Sequence, residues 1–352
     1  MFVFPCFMKL HQFQQYLAKN DLDLAFFSHP DIHLTYFTQH KFSYAFMVIT
    51  PHDAQLHYTA LDLTPVIPGF SVHLLKKGWE KKQHSTAIKK IAVNKETMTL
   101  AQQERLHKLF PHATFVDVSE ILVRLRLEKT LVEIQKIKRA CDITSKAFDE
   151  LVTAFSKKQL WTEQSVAFFL EQKIREQGGE VAFPTIVAMG KNAAVPHHVT
   201  SLQKLHRGFL LLDYGASYQY YCADMTRVVF LGKPTKQEKQ WYDLLLQAQE
   251  KTIKHISNQK AFTELTAVAN KRLGKYAHNF IHSLGHGIGL EVHEAPVFSD
   301  PKQKVHHNYV FTIEPGIYFP KKLGLRIEDT ILFDGKANIL TKAPKELITV
   351  NY

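Results

Sequence analysis

The amino-acid sequence predicts two domains, the first of the α/β class and the second of the α+β class. Its 352 residues are too many for one ordinary domain and suit two. The first third alternates short helical and strand patterns, as α/β domains do. A long amphipathic helix then begins, and from Ala182 onward strand patterns predominate, with helices interspersed. We therefore expect the two domains to comprise residues 1–126 and residues 127–352.

Local patterns define the elements of the first domain. Apolar residues at helical spacing predict helices at residues 10–17 and 102–109. Short runs rich in β-branched and aromatic residues predict strands at residues 24–27, 44–49, 55–58, 91–93 and 114–118. The sequence of this domain contains neither a glycine-rich phosphate loop nor a cluster of metal-ligating residues, so we look for the functional site in the second domain.

The second domain opens with a helix that has one apolar face. Its apolar positions recur in steps of three and four, at Leu131, Ile134, Ile137, Cys141, Thr144, Phe148 and Leu151. A second helix is expected from Thr162, a suitable N-cap residue, to Gly178–Gly179, where helices commonly end. Further helices are expected at residues 241–256 and 264–273.

Composition restricts the class of protein and its compartment. The three cysteines, Cys6, Cys141 and Cys222, cannot form a complete disulfide framework, which indicates a reducing cytoplasm. No apolar run approaches the roughly 18–20 residues that a membrane span requires, so we expect no membrane association. Residues 1–8 (MFVFPCFM) are apolar, but no positive residue precedes them and no small-residue cleavage site follows, so we expect no secretory signal.

A formal charge of +11 raises the question of nucleic-acid binding. The lysines are spread along the chain in pairs, and the sequence has neither an arginine-rich run nor aromatic residues interleaved with basic ones. We therefore interpret the charge as a solvated surface and expect no nucleic-acid partner.

Two aspartates stand in segments that otherwise look like protein core. Residues 209–214 form an apolar run, predicted to be a buried strand, which contains Asp213. A turn is expected at residues 215–217, and a returning strand at residues 218–230 contains Asp224. Buried carboxylates are unfavourable unless a positive charge compensates them, and two close together are worse. Each could instead be a structural aspartate that caps a turn or pairs with Arg227.

Histidines and glutamates follow in the same apolar context. The segment IHSLGHGIGLEVHE contains His282, His286 and His293 among three glycines, which allow the backbone to approach a ligand or a strand closely. Glu314 and Glu328 are each predicted to lie within an apolar strand. Four clustered carboxylates cannot stay ionised without cations, and two divalent ions would balance them. Oxygen-rich ligation with one imidazole favours Mn²⁺, Co²⁺ or Fe²⁺, with Zn²⁺ as a further candidate.

Five stretches of this sequence resemble a known enzyme family. They are AFPTIVAMGKNAAVPHH, LLLDYGA with YCADMTR, HSLGHGIGLEVHE, FTIEPGIY and LRIED, in the family's order and at its spacings. The chain is similar to metallopeptidases of the pita-bread fold, which include prolidase, aminopeptidase P and methionine aminopeptidase. The resemblance implies a creatinase-like α/β domain at residues 1–126 and a pita-bread catalytic domain at residues 127–352.

The resemblance also implies roles for individual residues. Asp213 would chelate one metal ion, Asp224 and Glu328 would bridge both, and His286 and Glu314 would complete the other side. A hydroxide that bridges the two ions would be the nucleophile, with Glu314 carrying the proton. In the Xaa-Pro branch of the family, the substrate pocket is lined at the positions of His197, His282, His293 and Arg326. His293 and His197 would hydrogen-bond the developing oxyanion or the proline. His198 is interpreted as an ordinary loop residue.

The expected activity is hydrolysis of the Xaa-Pro peptide bond. The N-terminal domain argues against a methionine aminopeptidase, and the total length resembles short prolidases, which act on dipeptides. Aminopeptidase P, which acts on longer peptides, is the alternative. A creatinase-like C–N hydrolase and a non-catalytic scaffold are further alternatives that would fit better had metal ligands been lost. Short proline-containing peptides are the expected partners, and a homodimer is the expected assembly.

Overall fold

The computed structural model describes residues 5–76, 87–156 and 160–351, and in residues 5–7 and 156 it describes the backbone alone. The expectation about a secretory signal therefore falls largely outside the described residues, as does any role for the Cys6 side chain. By its contacts the chain divides into two compact units, Met1–Arg126 and Leu127–Tyr352. Within the described part of the chain, no helix is both long enough and apolar enough to cross a bilayer.

The first unit is built on a six-stranded mixed sheet. Its elements are α1 (Pro5–Lys19), β1 (Leu24–Ser28), α2 (Ile32–Thr38), β2 (Ala45–Ile49), β3 (Ala54–Tyr58), β4 (Ser71–Leu74), β5 (Lys90–Val93), α3 (Leu100–Leu109), β6 (Thr114–Asp117) and α4 (Ser119–Leu127). The strand order is β4-β3-β2-β1-β5-β6. Strands β1, β2 and β3 pair antiparallel, whereas β3–β4, β1–β5 and β5–β6 pair parallel. The α/β class expected for this part is confirmed, as are the five strands and two helices.

Helix α2 was not predicted from the sequence, for a physical reason. It has seven residues, and six of them are buried, so it lacks the polar face that identifies a surface helix. Its N-cap, Asp31, accepts a hydrogen bond from the backbone N–H of His33 at 2.8 Å. That cap was the one local signal for the helix.

The second unit combines four sheets with four long helices among its described residues. Its elements are α5 (Leu131–Ser156), α6 (Glu163–Glu176), β7 (Glu180–Val181), β8 (Ile186–Met189), β9 (Gly208–Tyr214), β10 (Ala216–Tyr218), β11 (Tyr221–Cys222), β12 (Met225–Leu231), α7 (Lys236–Lys254), α8 (Phe262–Leu273), β13 (His286–Gly287), β14 (Glu294–Val297), β15 (Tyr309–Ile313), β16 (Gly316–Phe319), β17 (Leu323–Arg326), β18 (Asp329–Phe333), β19 (Ala337–Ile339) and β20 (Ile348–Val350). Short 3-10 helices occur at Gly190–Ala194 and Gly274–Asn279. The expected helices are confirmed, and the Thr162 side chain caps α6 as predicted.

The central sheet, in the order β20-β12-β9-β8, is covered on both faces. Leu210 and Leu212 of β9 pack with α5 and α6 on one face, while Phe209 and Leu211 pack with α7 on the other. A strand covered on both faces is apolar at nearly every position, which explains the continuous run in the sequence. By alternation along the strand, Asp213 lies on the same face as Phe209 and Leu211.

The predicted single strand at residues 218–230 is wrong, as is the turn at residues 215–217. Instead β10 and β11 form a tight hairpin in which Ser217 pairs with Cys222. The turn is at Gln219 and Tyr220, which both have positive φ (47° and 75°), as two-residue hairpin turns require. Strand β12 begins only at Met225, so Asp224 lies in the break between β11 and β12.

Candidate metal centre

Three of the four carboxylates that the sequence singled out lie where the chain passes from one sheet to another, whereas Asp213 lies within β9. Asp224 lies between β11 and β12, Glu314 between β15 and β16, and Glu328 between β17 and β18. In each case the two flanking strands belong to different sheets. The prediction that Glu314 and Glu328 lie within strands is therefore wrong. Because the backbone turns at these junctions, the side chains need not alternate between two faces of one sheet and can converge.

Backbone and hydroxyl contacts fix the positions of Glu328 and Asp224. The Glu328 N–H donates to the Thr226 carbonyl at 3.1 Å, and Thr226 Oγ1 donates to Glu328 Oε2 at 2.7 Å. The hydroxyl of Thr330 donates to the Asp224 carbonyl at 2.8 Å. Strands β12 and β18 thus supply threonines that hold the two acids in place.

His286 and Glu314 are fixed by the glycine-rich segment. The Glu314 N–H donates to the Leu284 carbonyl at 2.8 Å. A side chain at Gly285 would approach the Thr312 carbonyl oxygen to 2.1 Å, so this position admits only glycine, in line with the predicted close approach of the backbone. His286 Nδ1 donates to the Gly287 carbonyl at 3.0 Å. Its Nε2 therefore presents a lone pair, 3.6 Å from Asp224 Oδ2 and 3.4 Å from Glu314 Oε1.

Electrostatics at this centre call for a cation. Burial, together with the charge of Glu328, raises the pKa of Asp224 and of Glu314 well above the usual range for carboxyl groups. Burial and Asp213 raise the pKa of Glu328 to about 8. Burial, reinforced by His293, lowers the pKa of His286 to about 3, so its imidazole is neutral.

Two oxygen atoms in the cluster are left without partners. Asp224 Oδ1 and Glu328 Oε1 are buried and accept no hydrogen bond from any described residue. Donor atoms of Asp224, His286 and Glu328 lie within 4.8 Å of one another. Buried acceptor atoms without hydrogen-bond donors, beside a neutral imidazole, are a donor set that fits a divalent metal ion.

The centre opens into a cleft of about 720 Å³. All nine residues that the sequence singled out line this cleft: Asp213, Asp224, His286, Glu314, Glu328, His197, His282, His293 and Arg326. The rest of the wall is partly apolar and includes Phe168, Phe183 and Pro184. The rings of His286 and His293 are 4.2 Å apart, whereas His197 is exposed at the mouth of the cleft.

Arg326 has several protein partners. Its guanidinium, which is buried, donates to Thr226 Oγ1 at 3.0 Å, Tyr318 Oη at 2.6 Å and Asp213 Oδ2 at 2.5 Å. Tyr318 Oη lies 2.9 Å from His282 Nε2, whose Nδ1 donates to the Ser283 carbonyl. The Tyr318 hydroxyl thus donates to His282 and accepts from Arg326. Sequence reasoning did not single out Tyr318, because a tyrosine within an apolar strand looks like an ordinary core residue.

His198 is not an ordinary loop residue, contrary to the expectation. Its Nε2 donates to Glu163 Oε2 at 3.0 Å. The Glu163 carboxylate is fully buried and also accepts from the Met189 N–H, Asn192 Nδ2 and Ser201 Oγ. Glu163 therefore anchors the loop that carries His197. In the sequence it follows an N-cap residue and resembles an ordinary acid in the first turn of a helix.

The sequence left open whether Arg227 pairs with Asp213 or Asp224, and its contacts decide this. Its Nη2 bonds to Asp329 Oδ1 at 2.6 Å, and both side chains are buried. Its other hydrogen bonds from the guanidinium go to backbone carbonyls, including that of Glu328 at 2.5 Å. Arg227 thus forms no ion pair with Asp213 or Asp224 and does not neutralise the candidate metal centre.

Known proteins share this architecture. An Xaa-Pro dipeptidase from Pyrococcus furiosus is 38% identical over 240 residues, which cover 66% of this chain and 68% of that protein. An X-Pro aminopeptidase structure from Thermotoga maritima has 33% identity and a TM-score of 0.86, covering 94% of this chain and 98% of that one. An Xaa-Pro dipeptidase structure from Bacillus anthracis has 28% identity and a TM-score of 0.89, covering 98% and 100%.

Family models match both parts of the chain. Residues 9–127 match the creatinase/prolidase N-terminal domain, and residues 135–334 match metallopeptidase family M24. The resemblance drawn from the sequence motifs and the expected pita-bread fold are thereby confirmed. The chain belongs to metallopeptidase family M24, with a creatinase/prolidase N-terminal domain ahead of its pita-bread domain.

Proposed function

We propose that this metallopeptidase hydrolyses the peptide bond between a first residue and proline, with Xaa-Pro dipeptides as its substrates. The observation that carries the proposal is the converging set of buried carboxylates and imidazoles at the floor of one cleft. The names of the related proteins support the choice of an Xaa-Pro bond. A non-catalytic scaffold would not need this unfavourable concentration of buried acids.

We further propose that Asp213, Asp224, His286, Glu314 and Glu328 hold two divalent metal ions, with Asp224 and Glu328 shared between them. The unpartnered oxygens of Asp224 and Glu328 support this assignment. Oxygen-rich ligation favours Mn²⁺ or Co²⁺ over softer ions. When bound, such ions act as Lewis acids that polarise the scissile carbonyl and lower the pKa of the attacking water.

Glu314 is the residue to which we assign the proton transfers. Its carboxylate lines the cleft and lies beside His286 of the candidate metal centre, with Oε1 3.4 Å from His286 Nε2, so it is placed to exchange a proton with a water bound there. It would accept the proton of the attacking water and return it to the proline nitrogen as the C–N bond breaks. That nitrogen needs the proton because it carries no hydrogen in the Xaa-Pro peptide.

The remaining residues of the cleft bind and orient the substrate. We assign His293 and His197 to hydrogen bonds with the developing oxyanion or with the proline. His282 is held by Tyr318, and burial followed by the charge of Arg326 lowers its pKa to about 4, so it contacts the substrate as a neutral imidazole. Arg326 contributes through Asp213 and Tyr318, which it holds, and through the part of its guanidinium that faces the cleft.

The deciding experiment measures the hydrolysis of Ala-Pro, Ala-Ala and Met-Ala-Ser by the full-length protein loaded with Mn²⁺. We expect cleavage of Ala-Pro and little cleavage of Ala-Ala. Release of methionine from Met-Ala-Ser without any cleavage of Ala-Pro would overturn the proposal.

A second candidate is an Xaa-Pro aminopeptidase, which acts on longer peptides. It is favoured by the similarity to the X-Pro aminopeptidase of Thermotoga maritima. Hydrolysis of Ala-Pro-Ala with no hydrolysis of Ala-Pro would select this activity.

We also propose that the protein is a homodimer that works in the cytoplasm. The first unit exposes three large apolar side chains close together in sequence, Leu61 (82%), Leu63 (93%) and Val66 (92%), which supports an interface there. Sedimentation of the wild-type protein and of a Leu63→Ser variant tests the assembly. A monomeric wild-type protein would contradict it.

A further inference from the structure

A second cavity adjoins the catalytic cleft. Its volume is also about 720 Å³, and His198 lines both spaces. Tyr318 lines the second cavity as well, and its hydroxyl bonds to His282 and Arg326, which line the cleft. The second cavity thus shares His198 with the cleft, and Tyr318 links its lining to two residues of the cleft.

The charged residues that line this cavity are all basic. Four of its lining residues are basic or can become positively charged: Lys191, His198, His278 and Lys321. No acidic residue is among the lining residues that the structure describes. Neither lysine forms an ion pair with a described residue, so each ammonium group is available to an anion. Such a concave basic surface attracts and retains anionic groups.

The rim of the cavity also offers apolar contact. Val195 and Ile281 line it and are 56% and 62% exposed. Asn192 and Asn279 supply neutral polar groups beside them. A ligand that combines a carboxylate with a small side chain matches this lining better than an inorganic anion does.

Charge also determines which end of a peptide would enter the cavity. Divalent ions would neutralise the buried acids of the candidate metal centre, but Glu171 also lines the cleft, on its α6 wall, without an ion pair to a described residue, and it keeps the cleft acidic there. A peptide has a positive amino end and a negative carboxyl end. The electrostatic field therefore orients a bound peptide with its amino end in the acidic cleft and its carboxyl end toward the basic cavity.

We infer that this cavity binds the C-terminal residue of a peptide that continues beyond proline, with Lys191 and Lys321 holding its carboxylate. The inference rests on the proposed Xaa-Pro activity and extends it from dipeptides to Xaa-Pro-Xaa tripeptides. It assigns the specificity for the residue after proline to residues outside the candidate metal centre.

The test compares Ala-Pro-Ala with its C-terminal amide, using the full-length protein loaded with Mn²⁺. We expect the amide to have a KM about three- to tenfold higher, because it lacks the charge that the lysines hold. A Lys191→Gln/Lys321→Gln double variant should reduce this ratio toward one. Lys239→Gln, at an exposed lysine on α7, is the matched control and should preserve the ratio.

Binding to the metal-free protein gives a second readout that does not need turnover. Calorimetry should detect the same preference for Ala-Pro-Ala over its amide and the same loss in the double variant. Equal binding of acid and amide, or a preference that survives in the double variant, overturns the inference.

The outcomes separate this inference from the proposed function. Hydrolysis of Ala-Pro without binding or cleavage of Ala-Pro-Ala overturns the inference and leaves the proposed function standing. If neither Ala-Pro nor Ala-Pro-Ala is hydrolysed, the proposed function fails, and the calorimetric comparison decides whether the cavity holds a carboxylate.

Discussion

Glu328 illustrates at the scale of one residue how a side chain can be fixed in place and still have a free oxygen. Its Oε2 accepts from Thr226, whereas Oε1 is buried and accepts from no described residue. An unpartnered buried acceptor costs roughly 1–3 kcal/mol, more when it is charged. A bound cation would give this oxygen a partner and remove the unfavourable contribution. We therefore place Glu328 among the metal ligands.

Replacement of Glu328 by glutamine tests that assignment without relying on activity. We expect Glu328→Gln to bind less Mn²⁺ per chain, because an amide is a poorer ligand than a carboxylate, and to reduce kcat by at least about tenfold. Metal analysis after dialysis, alongside kinetics, measures both effects. Glu346→Gln, at an exposed glutamate in the same unit, should behave as wild type. Unchanged metal content in Glu328→Gln would remove the residue from the metal site.

Arg227 has a structural role, because it forms a buried ion pair with Asp329. Arg227→Met leaves the buried Asp329 carboxylate without its main partner, and breaking a buried ion pair costs about 3–5 kcal/mol. We expect that loss in urea unfolding of the metal-free protein. Lys146→Met removes an exposed ion pair with Asp142 and should cost at most about 1 kcal/mol. Similar losses in the two variants would contradict the structural role of Arg227.

At the scale of elements, the junctions between sheets bring the acids together. Strands β15 and β18 share one sheet, β16 and β17 form another, and the breaks between them carry Glu314 and Glu328. The loop after β8 is the other essential element, because it carries His197 and is anchored by Glu163. The cleft is therefore assembled from strand ends, one anchored loop and a wall from helix α6.

The anchor predicts a dependence of stability on pH. Burial alone would raise the pKa of Glu163, but hydrogen bonds from Ser201, Met189 and Asn192 outweigh it and hold the pKa below the usual 4.5. A carboxyl group whose pKa is lowered by folding stabilises the protein fully above about pH 4.5, and this contribution is lost as the pH falls through the folded value.

We therefore expect Glu163→Gln to lower the free energy of unfolding at pH 7 by about 1–3 kcal/mol. The glutamine amide has one NH₂ group in place of a carboxylate oxygen, and this NH₂ would face the N–H and O–H groups that donate to Glu163 in the wild type. The difference from wild type should shrink below pH 4.5. Urea unfolding at several pH values measures this, with Glu171→Gln on the same helix as the control. A difference that grows on acidification would contradict the anchor.

At the scale of the whole molecule, metal binding should govern stability. A ligand that binds only the folded state at a free concentration of 100 times its Kd stabilises that state by about 2.7 kcal/mol. We expect Mn²⁺ to raise the Tm of the wild-type protein relative to the EDTA-treated protein, and to do so less in Glu328→Gln. Scanning calorimetry checks this, and an equal Tm with and without Mn²⁺ would contradict a folded-state metal site.

The sequence was a good guide to much of this molecule. Five strands and two helices of the first unit followed from local patterns, because each has a clear period or composition, whereas β4 and α4 were not predicted. The short helix α2 and the hairpin of β10 and β11 escaped, because the first is buried on nearly all sides and the second turns at Gln219 and Tyr220 without a glycine. Local patterns fail where tertiary contacts or unusual backbone angles decide the conformation.

What the sequence determined by itself is the inventory of the site: acids and histidines in apolar surroundings, in an order that identifies an M24 metallopeptidase. Buried charge is costly, so its presence in such segments is informative without coordinates. Tertiary structure alone decided how these groups meet. It places Glu314 and Glu328 at junctions between sheets, pairs Arg227 with Asp329, anchors His198 on Glu163 and opens a basic cavity beside the cleft. These contacts join residues far apart in the chain, and no local pattern encodes which distant partner a side chain will meet.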